Sequence, residues 1–327
     1  MADKVRVLFI TGTGRAGSTL VGNLLASTPG IVNVGELRHF WTRGITENWW
    51  CGCGHKFDAC PFWTAVLTEA FGGSDRIDLA RLRASERRLL RLRASPRALL
   101  WIRDPRRLPS EDDYYLGATE RLYRAVATIS KAEIIVDSSK TPTYGAILSI
   151  IPTVDLRVLH LLRDPRATAY SWLNPKPSPD RGSGARMDQM GAAKSAALWT
   201  WWNTVAEAIW AIRRDVPSVR IRYETFTRNP EAIMRSVRAR LASEVADRSL
   251  GVEGHIAHLG ISHTVSGNPN RMRTGEVPVH PDERWRSGLS ARHHAIVVAL
   301  AGVAMVRYGY LAGAAEQRSK PAVESNP

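Results

Sequence analysis

The segment Val5-Arg-Val-Leu-Phe-Ile-Thr-Gly-Thr-Gly-Arg-Ala-Gly-Ser-Thr19 decides the architecture. Its apolar run, Val5 to Thr11, has the composition of a buried strand and breaks at once into a glycine loop. Leu20, Val21, Leu24 and Leu25 then recur at helical spacing, and that helix must stop before Pro29-Gly30. A strand that turns tightly into a helix aims backbone N–H groups and a helix N-terminus at one point, which suits an anion.

Working outward, the same alternation recurs. A short strand is predicted over Ile31–Val34, ending at Gly35-Glu36, and strand-like runs resume at Glu133–Val136, Arg157–Leu162 and Val219–Tyr223. Helical periodicity lies between them, so the expectation is a three-layer α/β/α fold with a mostly parallel central sheet of the P-loop nucleotide-binding type. Residues 1–315 are expected to form one domain, with a Cys/Trp-rich insertion at 41–65 and a mobile Pro/Gly/Ser-rich loop at 174–191. Residues 316–327 have the composition of a disordered tail. Ala192–Ile212 reads as a helix whose Trp199, Trp202 and Trp210 suit a core.

The chain carries 45 Lys and Arg against 31 Asp and Glu, and only seven of the basic residues are lysine. Many of the arginines fall between Arg81 and Arg107, interleaved with Leu79, Leu82 and Leu89 at helical spacing. That pattern marks the solvated face of an amphipathic helix and argues against a nucleic-acid partner. It leaves open an attraction for anionic substrates or for peripheral contact with an anionic membrane surface. No stretch reaches the roughly 18 uninterrupted apolar residues of a membrane span; Ala295–Val306 is too short and suits a buried helix. The N-terminus runs into the glycine loop rather than a small-residue cleavage site, so a cytoplasmic location is expected.

The loop Gly12–Thr19 fits three templates. Gly-x-Gly-x-x-Gly is the dinucleotide fingerprint, with Glu36 near the ribose-binding position. The loop also approximates a phosphate-binding loop of nucleoside triphosphatases, but Ser18 stands where that loop needs a lysine. The third template is a loop for a phosphosulfate, which Arg15 and two hydroxyls, Ser18 and Thr19, could grip without a metal.

A second anion site lies in Arg163-Asp-Pro-Arg-Ala-Thr-Ala-Tyr-Ser171. Asp164 is a natural N-cap and Pro165 a natural first helical residue, so Arg163 falls at the end of a strand. Ala167 and Ser171 share one helix face, and the small Ala167 lets a phosphate approach Ser171. An arginine and a hydroxyl then converge near a helix N-terminus.

The two loops together resemble the sulfotransferases that use 3′-phosphoadenosine 5′-phosphosulfate. The resemblance implies that Arg15, Ala16, Gly17, Ser18 and Thr19 hold the phosphosulfate, and that Arg163 and Ser171 hold the 3′-phosphate. Lys140, in Asp137-Ser138-Ser139-Lys140-Thr141-Pro142, resembles the lysine that steadies the departing oxygen. The run ending in Asp137 could also pass for the acidic strand of a kinase. Gly267-Asn-Pro-Asn-Arg271 through Trp285 resembles a closing loop, which implies Arg271 as a further 3′-phosphate contact. In cytosolic members a histidine two residues after the lysine is the base, but here Pro142 stands there. Gly35-Glu36-Leu37-Arg38 resembles the segment that supplies a glutamate base in the tyrosylprotein branch, so Glu36 is the expected base and His39 the runner-up. The implied activity is sulfuryl transfer to a hydroxyl of a small molecule, glycan, lipid or peptide, with no metal required. A kinase-like phosphotransferase and an NAD(P)-binding reductase remain as alternatives.

The three cysteines cluster as Cys51-Gly-Cys53-Gly-His55 and Cys60. A zinc site built from Cys51, Cys53, His55 and Cys60 is chemically allowed. The Cys-x-Cys spacing is tighter than a finger knuckle, however, so a turn held by buried thiols is the favoured expectation.

Overall fold

The computed structural model describes residues 4–182, 184–311 and 323–325. In chain order the elements begin with β1 (Val5–Gly12), α1 (Ser18–Ala26) and β2 (Ile31–Gly35). After a 3-10 turn and a π-helical segment over Phe40–Thr46 come four helices, α2 (Pro61–Phe71), α3 (Leu79–Leu89), α4 (Ser95–Trp101) and α5 (Asp113–Ser130). Then follow β3 (Ile134–Lys140), α6 (Pro142–Ser149), β4 (Val154–Leu162), α7 (Pro165–Leu173), α8 (Ala192–Ile212) and β5 (Ser218–Arg222). The chain continues through α9 (Tyr223–Arg228), α10 (Pro230–Leu241), β6 (Val252–Glu253), β7 (Ile256–Leu259) and β8 (Gly275–Pro278). It ends with α11 (Trp285–Gly288), α12 (Ala291–Arg307) and β9 (Val323–Ser325).

The main sheet has the order β2-β3-β1-β4-β5-β9. Its first five strands are parallel and β9 pairs antiparallel with β5. β6, β7 and β8 form a separate antiparallel sheet. The period of two sorts the side chains of β1 cleanly. Val7 and Phe9 enter a core shared with α2, α5 and α6, while Leu8 and Ile10 enter the core under α1 and α10. The sheet is therefore buried on both faces, which is the three-layer α/β/α fold that the strand–helix alternation predicts.

β3 is longer than its apolar run, because Asp137, Ser138, Ser139 and Lys140 continue the strand. Polar residues can stay in this buried position because they are partnered: the Asp137 carboxylate accepts from the Tyr123 hydroxyl and from the Ser139 N–H. The expectation of a tail from residue 316 also fails at Val323–Ser325. Val323 is buried beside Ile221, and Glu324 pairs with Arg220. The rest of that segment lies outside the described residues. The arginine-rich helices fit their pattern: Leu82 and Leu89 of α3 are buried, while Arg81, Arg87, Arg91 and Arg93 are exposed.

Register brings the carboxyl ends of the strands level. Thr11 of β1 pairs with Lys140 of β3 on one side and His160 of β4 on the other, and Gly35 of β2 pairs with Asp137. β1 therefore lies at the centre of the sheet, flanked by strands on opposite sides whose connections diverge, and ligands of open α/β sheets bind at that switch point. Two glycines are required there. Gly12 has φ +138°, and a Cβ on it would lie 2.4 Å from the Leu161 carbonyl oxygen. Gly17, at φ +95°, would press a Cβ to 2.4 Å from the Tyr223 ring.

Candidate active site

A cleft of ≈ 440 Å³ opens over the carboxyl ends of the strands. Each parallel strand delivers residues to it. The Thr13–Thr19 loop follows β1, Glu36 follows β2, and Lys140 ends β3; Arg163 follows β4 and Tyr223 follows β5. Ser171 lines the same cleft from α7. The structure thus brings Arg15, Gly17, Ser18, Thr19, Glu36, Lys140, Arg163 and Ser171 into one cavity. Ala16 is buried in the core beneath the loop rather than on the cleft wall. Nine Lys and Arg side chains line the cleft against three carboxylates, so its field favours an anion.

The loop presents its polar groups as its sequence requires. α1 starts at Ser18 behind the left-handed Gly17, with no side-chain cap, so its first N–H groups remain for a ligand. Arg15 holds φ 69° and Lys140 φ 65°, a left-handed conformation costing about 1 kcal/mol or more outside glycine. The Arg15 guanidinium lies over the Trp172 ring at 4.5 Å and donates to the Asp188 carbonyl at 3.2 Å.

Glu36 and Lys140 form one unit. Lys140 Nζ donates to Glu36 Oε1 at 2.5 Å and to the Ser138 carbonyl at 2.9 Å. Burial pushes the Glu36 carboxyl up, but Lys140, Arg43 and Arg38 together outweigh it and hold it below its ordinary value. His39 Nε2 lies 3.7 Å from Glu36 Oε2. Burial, with Arg38, Arg43 and Lys140 adding to it, drives the His39 pKa well down, so its imidazole is neutral at physiological pH.

Around Arg163 the geometry bears out the capping logic. Asp164 caps α7 by accepting from the Arg166 N–H at 2.8 Å, and Pro165 opens the helix. Arg163 donates to the Arg15 carbonyl at 2.9 Å, so the loop after β1 and the end of β4 are joined directly. It also contacts Asp282 at 3.1 Å and lies over the Tyr223 ring at 4.7 Å. Among the described residues, Arg15 Nε, Arg163 Nε, Thr168 Oγ1 and Ser195 Oγ are buried without a hydrogen-bond partner, and all four residues line the cleft. Unpaired buried donors are costly unless a ligand completes them.

Arg271 does not join this set. Its side chain is fully buried, with Nη1 on the Thr264 carbonyl at 3.0 Å and Nη2 on the Trp50 carbonyl at 2.5 Å. Nη2 also pairs with Asp180 at 3.1 Å. A buried guanidinium needs such compensation, and one turned toward Asp180 cannot also reach the cleft. The neighbours Asn268, Asn270 and Arg273 line it instead.

Several cleft residues had no signal in the sequence. Arg43 sits in the π-helical segment and donates to Ser266 Oγ at 2.8 Å, while its guanidinium lies 4.5 Å over Trp49. From the 174–191 loop, Arg181 covers the same indole at 4.6 Å and pairs with Asp188 at 2.7 Å. Trp202 lines the cleft and Trp199, itself buried in the core, borders it as well, whereas Trp210 is core only. Asp137, the carboxylate that could have held a kinase's magnesium, is fully buried under the strand end and is not part of the cleft wall. No helix among the described residues is long and apolar enough to cross a membrane.

No curated protein sequence matches the chain. A solved structure, the sulfotransferase domain from the Synechococcus PCC 7002 olefin synthase, is similar over 93% of this chain and 95% of that one, at 17% identity and a TM-score of 0.46. The model of the sulfotransferase family matches residues 8–247, the span that holds the Gly12–Thr19 loop, Glu36, Lys140, Arg163 and Ser171, and the chain belongs to that family.

Proposed function

We propose that the protein transfers a sulfuryl group from 3′-phosphoadenosine 5′-phosphosulfate to a hydroxyl acceptor by in-line displacement at sulfur. The observation that carries this reading is the joining of two anion stations across one hydrogen bond, Arg163 to the Arg15 carbonyl, with Glu36 and Lys140 in the same cleft. A donor with phosphates at both the 5′ and 3′ positions would occupy both stations, while ATP or NAD would offer Arg163 and Ser171 no 3′-phosphate. Ser18 in place of a loop lysine and the buried Asp137 both count against a kinase.

In this mechanism Glu36 takes the proton from the acceptor hydroxyl as its oxygen bonds to sulfur. The bond from sulfur to the bridging oxygen breaks, and Lys140 donates to that oxygen as negative charge builds on it. The Glu36–Lys140 contact gives these steps a natural coupling. While Lys140 rests on Glu36 it depresses the carboxyl pKa, and as it moves toward the departing oxygen Glu36 becomes a stronger base. Arg15 and the loop N–H groups stabilise charge on the sulfuryl oxygens. The acceptor we propose is a hydroxyl of a small molecule, glycan, lipid or peptide.

Thermal shift tests the reading directly. Adenosine 3′,5′-bisphosphate at 100 times its dissociation constant should stabilise the protein by about 2.7 kcal/mol. AMP, ATP and NADPH at equal concentration should shift it far less, with or without magnesium. Equal shifts from AMP, or a shift from ATP that needs magnesium, would remove the reading.

A further inference from the structure

Cys51, Cys53 and Cys60 of the insertion converge on His263, which lies 203 residues beyond Cys60. Cys60 Sγ is 3.6 Å from Cys51 Sγ, 3.6 Å from Cys53 Sγ and 3.4 Å from His263 Nδ1. Cys51 Sγ lies 3.9 Å from the same nitrogen, and all four donor atoms fall within 4.8 Å of one another. Zinc bonds of about 2.3 Å to sulfur and 2.0–2.1 Å to nitrogen, set tetrahedrally, give edges of about 3.8 Å between sulfurs and 3.6 Å between sulfur and nitrogen. These four measured edges agree with those values to within a few tenths of an ångström, and the remaining two lie within 4.8 Å. A turn held by buried thiols explains pairwise contacts, but it does not require a distant imidazole to close a tetrahedron. His55, the ligand nearest in sequence, is exposed; its Nδ1 lies 3.5 Å from Cys53 Sγ.

The frame around these ligands is built independently of any ion. Gly54, at φ +88°, turns the chain so that its N–H donates to the Cys51 carbonyl at 3.0 Å. Gly52 donates to the Thr264 carbonyl at 3.0 Å, and a Cβ on Gly52 would lie 2.4 Å from Thr264 Oγ1, so only glycine lets the two segments meet. The Phe62 ring stacks on His263 with centroids 4.6 Å apart, which fixes the face that carries Nδ1.

We propose that Cys51, Cys53, Cys60 and His263 hold a zinc ion in a closed, four-coordinate structural site. Three soft sulfurs and one imidazole are a zinc donor set, and a full set of protein ligands leaves no position for chemistry. Each thiol that ligates gives its proton to solvent, and no redox change is involved. The ion would clip the insertion to the segment after β7. That segment forms part of the cleft wall: Val265 donates to the Val34 carbonyl at 3.0 Å, and Gly267 packs against Glu36 and Thr19. The inference does not depend on the reading of the cleft.

Metal analysis of the full chain, expressed with zinc in the medium, tests it. We expect about one zinc per chain. In competition with a chromophoric chelator, His263→Ala and Cys60→Ser should weaken zinc binding ~10-fold or more, a loss that removal of even an outer partner can cause. His55→Ala should leave it unchanged. Where a substituted chain does not fold, cobalt replacement in the unaltered protein decides, through the absorption bands of a tetrahedral thiolate site. An unaltered protein without zinc and without those cobalt bands would overturn the proposal. So would an affinity that falls with His55→Ala and not with His263→Ala.

Discussion

Replacing Arg163 with alanine separates a ligand contact from a structural one. Its side chain is only 8% exposed, and its guanidinium holds the Arg15 carbonyl at 2.9 Å and Asp282 at 3.1 Å, while Nε has no partner. A charge-assisted hydrogen bond to a phosphate is worth about 1.5–3 kcal/mol. Arg163→Ala should therefore weaken adenosine 3′,5′-bisphosphate on the order of tenfold to a hundredfold. AMP lacks the 3′-phosphate, so its affinity should change little, and the ratio of the two dissociation constants cancels what the 5′ side contributes. Asp282 provides a control of opposite sign. Its carboxylate occupies the arginine that the phosphate needs, and two like charges at 4 Å repel by about 4 kcal/mol at an effective dielectric constant of 20. Asp282 also pairs with Arg284 at 2.8 Å and can turn toward it, so most of that repulsion is avoidable. Asp282→Asn should still tighten the bisphosphate, by roughly threefold to tenfold, without helping AMP. Calorimetric titration of the unaltered protein and the two variants with both nucleotides, at one fixed ionic strength, measures all six affinities. If Arg163→Ala weakens both nucleotides equally, the arginine merely props up the Arg15 loop and the 3′-phosphate station is refuted.

Two further outcomes are expected. Glu36→Gln keeps the side-chain shape but cannot take a proton, so turnover should fall roughly 10²–10⁴-fold with bisphosphate affinity nearly unchanged; retained turnover at saturating acceptor would pass the role of base to His39, 3.7 Å away. His160 is fully buried, with Nε2 beside Asn203 Oδ1 at 2.9 Å, and burial lowers its pKa from 6.5 to about 4. Its neutral form is favoured by folding, so this contribution is complete above pH 6.5 and is lost as pH falls toward 4, on the order of 3 kcal/mol in all. Denaturant unfolding across that range should show the loss, and His160→Gln should flatten it; an equally steep profile in the variant would assign the dependence to other groups.

The parts of this molecule that the sequence determines are those set by a few neighbouring residues. Val7 to Ile10 alternate between two cores, Gly12 and Gly17 admit only a tight loop, and Asp164-Pro165 starts a helix that leaves Arg163 at a strand end. Strand period, left-handed φ and capping act within one or two turns of chain, so they can be read without knowing what packs nearby. The direction of a long side chain is different, because its partner comes from anywhere in the fold. Lys140 meets Glu36 across 104 residues, and Asp180, one of several charges in the 174–191 loop and 91 residues away in sequence, claims Arg271 and removes it from the cleft. Glu324 holds an edge strand where composition indicated a tail, and His263 takes the place that His55 had by spacing alone. Burial makes charge compensation and ligand closure obligatory, but only the tertiary structure decides which distant group supplies them.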